Sequence, residues 1–152
     1  MSCALSTPLS CPHLRFLEDT MQLNHLNLCV SNVPEACSFF QRCFDLHLLQ
    51  QHKKALAVLS DEHCFTLVLM NPQALQQEMR PYPDGFHIGF LLDTPEQVEQ
   101  TYQRLVAEGV QFLHEPRKIR KSYGFYFTAL DDILFEVSCP LSLQATAPQE
   151  SA

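Results

Sequence analysis

Hydrophobic and polar residues alternate along two short stretches of the chain, Leu23–Val30 and Phe86–Leu92. Apolar residues occupy every second position, namely Leu26, Leu28 and Val30 in the first stretch and Phe86, Ile88, Phe90 and Leu92 in the second. This pattern predicts a β-strand with one buried face. The residues that fall on the opposite faces are His25, Asn27 and Cys29 in the first strand, and His87 and Gly89 in the second. Each predicted strand therefore carries a histidine on the face that does not enter the core.

A helix is predicted after each of these strands. Each helical stretch begins with a residue that can cap it, Asn32 or Thr94, followed by a proline in the first turn. Three residues after each cap stands a glutamate or glutamine, which is the spacing of a capping box. The first helix is predicted to run to about Phe44, and Gly109 is predicted to stop the second.

Three further short strands are predicted after each helix. They are Leu46–Gln51, Ala55–Ser60 and Cys64–Met70 in the first half, and Gln111–His114, Tyr123–Thr128 and Ile133–Ser138 in the second. The order strand, helix and three strands thus occurs twice, over residues 21–72 and 86–140, with a connector at 73–85 between them. A repeated supersecondary unit of this kind predicts an α+β fold, and we expect both units to form a single domain.

One carboxylate interrupts the apolar run Ile133-Leu-Phe-Glu-Val in the last strand. Aligning Pro72 with Pro140 matches the two units and places Val68 opposite Glu136. A buried ionised carboxylate is unfavourable unless it is paired or binds a metal. Glu136 and the two equivalent histidines therefore form a candidate metal site. For each residue taken alone, a solvent-facing side chain is the simpler interpretation.

Composition limits the class of protein. The 152 residues are 46% hydrophobic and 18% charged, which suits one globular domain between a loosely attached arm at 1–20 and a polar tail at 141–152. The net charge of −7 argues against nucleic acid or an anionic membrane as the main partner. No apolar run approaches the roughly 20 residues needed to span a bilayer. Seven cysteines without a Cys-x-x-Cys pair favour reduced thiols and a cytoplasmic location.

A basic cluster, Arg117, Lys118, Arg120 and Lys121, precedes the strand that contains Tyr123 and Tyr126. We predict it to be a loop at the mouth of a cavity. It could steer an anionic substrate in an otherwise acidic protein, or it could be a solvated hairpin loop.

The tandem βαβββ pattern resembles the vicinal oxygen chelate superfamily, which includes glyoxalase I, extradiol dioxygenases, and fosfomycin and bleomycin resistance proteins. The segment Asn24-His-Leu-Asn-Leu-Cys-Val before a capped helix and the hairpin from Phe125 to Val137 carry the resemblance, which covers about residues 21–140. Two motifs depart from the family pattern. The usual Asp-Pro-Asp-Gly-Asn turn is Ala129-Leu-Asp-Asp-Ile here, and the usual Leu-Gly after the first helix is Phe44-Asp45.

The resemblance implies that the two units curve into an open, barrel-like sheet around a ligand cavity. It also implies that His25, His87 and Glu136 converge on one divalent metal, which could be Fe, Mn, Zn or Ni. Glyoxalase I has a further ligand on the last strand of the first unit, where this chain has Phe65-Thr-Leu-Val-Leu. A His/His/Glu set is more similar to that of extradiol dioxygenases and fosfomycin-modifying enzymes.

Further residues are assigned to the cavity. Tyr126, ten residues before Glu136, is predicted to be catalytic, because a phenol in that place could donate a hydrogen bond to substrate or act as a general acid. A tyrosine that merely fills a pocket wall is the alternative. Asn27, Cys29 and Tyr123 are assigned to substrate binding.

The predicted function is that of a divalent-metal-dependent enzyme of the glyoxalase/dioxygenase type. It would act on a small oxygen-bearing substrate through Lewis-acid chelation, and oxygenation, isomerisation or lyase chemistry, and thiol addition all stay open. A metal-free ligand-binding protein, like the bleomycin resistance proteins, is the alternative. A structural or regulatory domain with a degenerate site is a third interpretation. We expect a small-molecule partner and a homodimer.

Overall fold

A computed structural model describes residues 21–141 of the protein. The predicted arm at 1–20, and all of the predicted tail after Leu141, lie outside this range. The chain divides into two compact units with a boundary between Met79 and Arg80, which falls inside the predicted connector. The union of these two units into one domain stays a prediction.

Each unit contains one helix and one open, four-stranded mixed sheet. The elements of the first unit are β1 (His25–Cys29), α1 (Val33–Phe44), β2 (His47–His52), β3 (Leu56–Ser60) and β4 (Thr66–Met70), followed by a short 3₁₀ helix at Gln73–Leu75. Those of the second are β5 (His87–Leu91), α2 (Pro95–Ala107), β6 (Arg117–Ile119), β7 (Ser122–Ala129) and β8 (Ile133–Pro140). The strand orders are β1-β4-β3-β2 and β5-β8-β7-β6, which confirms the α+β class and the tandem βαβββ arrangement.

The two sheets repeat the same register. In the first unit β1 runs parallel to β4 and pairs Asn27 with Val68. In the second unit β5 runs parallel to β8 and pairs Gly89 with Glu136. The alignment of Val68 with Glu136 is therefore confirmed at the level of strand pairing.

Both helices begin as predicted. The Asn32 side chain accepts from the Glu35 backbone N–H at 3.3 Å, and the Glu35 carboxylate accepts from the Asn32 amide at 3.0 Å. Thr94 and Gln97 complete a full capping box, because the Gln97 side chain also accepts from the Thr94 backbone N–H at 3.0 Å. The second helix ends at Ala107, just before Gly109 with its left-handed φ of 81°. No helix within residues 21–141 has the length and apolar character to cross a membrane.

Each helix covers one face of its sheet, and that face is apolar. The buried residues of the first unit include Leu28, Val30, Val33, Ala36, Phe40, Leu59, Leu67 and Leu69. Those of the second include Val98, Leu105, Phe125, Phe127, Ile133, Phe135 and Val137. Because side chains alternate along a strand, the remaining residues of these strands point to the other face of each sheet. His25 lies on this second face of the first sheet, and His87 and Glu136 lie on the corresponding face of the second sheet.

The prediction of a strand at Gln111–His114 was wrong, because this segment forms no strand in the structure. Phe112 makes one isolated bridge to Phe127, and its ring lies 5.5 Å from the ring of Phe125. The apolar residue of this segment therefore anchors a loop to the core instead of extending the sheet. The fourth strand is β6, formed by part of the basic cluster that was predicted to be a loop, with Arg120 in the following turn at a φ of 56°.

The expectation of reduced thiols holds for Cys29, Cys37, Cys43 and Cys139, none of which forms a disulfide bond. Burial raises the pKa of the Cys37 thiol. Cys64 differs from the expectation, because it is disulfide-bonded.

Candidate functional site

His87 lies at the start of β5 on the face that α2 does not cover. Its Nδ1 is 3.0 Å from the backbone oxygen of Gly85, and its Nε2 is 3.6 Å from Oε2 of Glu136. A carbonyl oxygen only accepts hydrogen bonds, so the Nδ1 atom carries a proton. In the neutral ring this leaves the lone pair on Nε2, directed towards the carboxylate. A backbone partner of this kind is how proteins fix the tautomer of a metal-binding histidine.

Glu136 lies on β8, an interior strand of the second sheet. Its register partners are Gly89 on β5 and Tyr126 on β7. The Glu136 side chain is 23% exposed, half as much as the 46% of His87. A carboxylate that is largely withdrawn from water in the middle of a sheet needs a cationic partner. Glu136 and His87 together provide one oxygen and one nitrogen donor that could share a cation.

Tyr126 stands beside this pair on β7. Its ring lies 6.5 Å from the His87 ring in an edge-on arrangement. Burial raises the pKa of Tyr126, and a side-chain hydrogen bond to Glu136 and the charge of that carboxylate raise it further, while Arg120 acts in the opposite direction. The phenol therefore stays protonated at neutral pH and is available as a hydrogen-bond donor.

The first unit presents a histidine in a similar way. Nδ1 of His25 is 2.8 Å from the side-chain oxygen of Asn24, and the amide oxygen is the acceptor. The Nε2 atom is again left as the nitrogen that could bind a metal. Asn27 is exposed, Cys29 is half-buried, and the alternation of β1 places both on the His25 face.

Tyr123 lies apart from the group formed by His87, Glu136 and Tyr126. It is three residues from Tyr126 on β7, so it points to the face that α2 covers. Its hydroxyl donates to the Glu99 carboxylate of α2 and to the Pro116 backbone oxygen, the latter at 3.3 Å. The hydrogen bond to Glu99, with burial and the charge of Glu99, raises the pKa of Tyr123 to about 12. Tyr123 therefore joins α2 to the sheet.

The fold matches that of known proteins. A family model for the Glyoxalase/Bleomycin resistance protein/Dioxygenase superfamily matches residues 22–137. The chain belongs to this superfamily. The comparison with curated proteins returned no match.

Solved structures of superfamily proteins are similar over most of the chain. A possible glyoxalase from Bacillus cereus is 35% identical, with a TM-score of 0.68, over 79% of this chain and 100% of that one. A lactoylglutathione lyase from Agrobacterium tumefaciens is 19% identical (TM-score 0.64; 80% and 96% covered). The fosfomycin resistance protein FosX from Listeria monocytogenes is 23% identical (TM-score 0.62; 79% and 93% covered). At these lower identities the last two show the fold alone.

Membership of the superfamily does not by itself assign the metal ligands. Across residues 21–141, no three His, Cys, Asp or Glu side chains lie close enough together to hold a metal ion. The second unit brings His87 and Glu136 together, and the convergence of His25 with them stays a prediction.

One residue of this face, Gly89, had no predicted role. It sits between His87 and Leu91 in β5 and pairs with Glu136. A glycine inside a strand often marks a close approach by a ligand or by another backbone, and this was the signal in the sequence that could have pointed to it.

Proposed function

We propose that the protein is a divalent-metal-dependent enzyme of the glyoxalase/dioxygenase type that acts on a small oxygen-bearing substrate. One observation carries the proposal: Nε2 of His87 and Oε2 of Glu136 lie 3.6 Å apart, with the other His87 nitrogen held by the Gly85 carbonyl. In this proposal the ligands are His25, His87 and Glu136. Similarity to a possible glyoxalase at 35% identity supports this class of chemistry.

The donor atoms suit a divalent transition metal. Two neutral imidazole nitrogens and one carboxylate are ligands for Fe, Mn, Zn or Ni, and a three-ligand set leaves coordination positions free for substrate oxygens. When bound, the metal would polarise those oxygens as a Lewis acid and stabilise developing negative charge. The half-buried position of Glu136 fits this role, because a cation offsets the unfavourable burial of a carboxylate.

The remaining residues hold the substrate and control its protons. Tyr126 is 37% exposed and its raised pKa keeps the phenol protonated, so it can donate a hydrogen bond to a substrate oxyanion or act as the general acid. Asn27 and Cys29 contact the substrate from the first unit. The partner is a small molecule, and we expect the protein to work as a homodimer in the cytoplasm.

Metal titration of the chelator-treated protein tests the proposal. Wild-type protein should bind about one Mn²⁺ or Zn²⁺ per chain in calorimetry. His25→Ala, His87→Ala and Glu136→Gln should each weaken binding at least about 100-fold, or about 2.7 kcal/mol, because each removes one of three ligands. His47→Ala and Glu96→Gln are matched controls on exposed positions of β2 and α2.

Two outcomes would count against the proposal. Unchanged affinity in Glu136→Gln would remove that carboxylate from the ligand set. Wild-type protein that binds no divalent metal, yet binds small oxygen-bearing ligands, would favour the metal-free binding protein instead.

A further inference from the structure

The chain has four glycines, all within residues 21–141. Gly89 is the one that neither its backbone conformation nor its packing requires to be glycine. Gly85 and Gly109 have left-handed φ angles of 82° and 81°, which favour glycine. At Gly124 a Cβ atom would lie 2.3 Å from the Val137 backbone oxygen, so packing excludes a side chain there. Gly89 has neither property, because its φ is not left-handed and an added Cβ would meet no atom within 4 Å.

A glycine in the interior of a strand is unfavourable for stability. It loses more conformational entropy on folding than any other residue and contributes no side chain to packing. Gly89 is also exposed, so the fold would accept alanine or a β-branched residue there. The reason for glycine at this position is therefore to be sought in what approaches it.

The neighbours of Gly89 indicate what kind of group approaches it. A row across three paired strands contains Gly89 on β5, Glu136 on β8 and Tyr126 on β7. His87 lies two residues earlier on the same face as Gly89. A side chain at position 89 would therefore stand beside the Glu136 carboxylate, on the side opposite Tyr126. Asn27 occupies the equivalent place in the first unit, next to Val68.

We infer that Gly89 is a specificity-determining residue, whose missing side chain leaves space for the carbon body of the substrate next to its metal-binding oxygens. This inference rests on the proposed function. It adds a property of the substrate: the carbons that carry the chelating oxygens bear a bulky group, such as a ring, that lies over β5. A ligand consisting of little more than its two oxygens would not need the space.

Two chelating probes of different size test the inference on Gly89→Ala and Gly89→Val loaded with Mn²⁺. Oxalate is small, and nitrocatechol carries a ring and a chromophore. Gly89→Val should weaken nitrocatechol binding about 30-fold, which is the effect of overpacking a filled site, and oxalate binding at most about threefold. Gly89→Ala should give an intermediate loss for nitrocatechol. The affinity for Mn²⁺ itself should not change, because no ligand is removed.

The stability of the same variants is an independent readout. Both substitutions should raise the Tm of the metal-free protein, by about 2 to 4 °C, because they remove a strand glycine without a clash. A fall in Tm would show that the backbone requires glycine, and it would overturn the inference. Unchanged nitrocatechol affinity in metal-loaded Gly89→Val would also overturn it and would leave the metal site standing. Failure of wild-type protein to bind Mn²⁺ would instead refute the proposed function.

Discussion

On the sheet face that the helix leaves uncovered, the first unit is mostly apolar on its two inner strands, whereas the second is mostly polar or small. The positions occupied by Leu56, Val58, Val68 and Met70 in the first unit are occupied by Gly124, Tyr126, Glu136 and Ser138 in the second. The strand pairing at these positions is the same in both units. The two units therefore share a backbone arrangement but differ in the side chains on this face. The reactive side chains Tyr126 and Glu136 both lie in the second unit.

The helix-facing side of the sheets shows the opposite behaviour. Leu67 and Leu69 in the first unit correspond to Phe135 and Val137 in the second, and all four are buried. Burial of apolar side chains under the helix stabilises each unit, so these positions must stay apolar. The other face needs only to allow strand pairing. The fold therefore depends on one face of the repeat, while function can be placed on the other.

The largest effect expected from this comparison is on stability at position 124. Gly124→Ala should lower the free energy of unfolding by about 2 to 3 kcal/mol, because the new Cβ would overlap the Val137 oxygen and the Ser138 side chain. Urea unfolding measures the change. Leu56→Ala at the equivalent place in the first unit should cost only about 1 kcal/mol, since Leu56 is half-buried. Equal losses at the two positions would contradict the asymmetry.

A smaller effect concerns how each histidine is held. His87 is oriented by a backbone carbonyl, whereas His25 is oriented by the Asn24 side chain, which mutation can remove. Asn24→Ala should weaken metal binding about tenfold, or about 1.4 kcal/mol, because a second-layer hydrogen bond to a ligand is lost. Asn24→Asp keeps an acceptor oxygen and should retain the affinity in calorimetry. An equal loss in both variants would show that the hydrogen bond has no role.

The smallest effect is a pH dependence that belongs to the second unit, which contains all four tyrosines. The pKa of Tyr123 rises from 10.0 to about 12 in the folded protein. The stabilisation by protonated Tyr123 is therefore complete below pH 10 and is lost as the pH rises towards 12. Unfolding experiments across this range should show wild type losing more stability than Tyr123→Phe. Parallel curves for the two proteins would contradict the assignment.

Much of this fold could be predicted from local signals. The alternation along β1 and β5, the caps at Asn32 and Thr94, and the match of Val68 with Glu136 each depend on residues close together in sequence or on the repeat. The fourth strand of the second unit was predicted at Gln111–His114 and not at β6, because the apolar residue Phe112 suggested a strand. Phe112 instead packs against Phe125, a contact between residues distant in sequence that no local pattern reveals.

The site was predicted less completely than the fold. His87, Glu136 and Tyr126 share a face because strand parity can be counted along the chain. Tyr123 was assigned to the cavity although its parity places it under α2, where Glu99 binds its hydroxyl. The role inferred for Gly89 depends on empty space around its backbone, and only the structure shows that space.

The central claim is that one metal is bound through a histidine of each unit together with Glu136. Proton NMR of the Co²⁺-substituted protein tests it most directly, because a histidine that binds through Nε2 keeps an exchangeable proton on Nδ1, as the contacts to Asn24 and Gly85 indicate. Wild-type protein should show two strongly shifted, solvent-exchangeable N–H resonances, and His25→Ala and His87→Ala should each show one. Two such resonances persisting in either variant, or none in the wild type, would contradict the account.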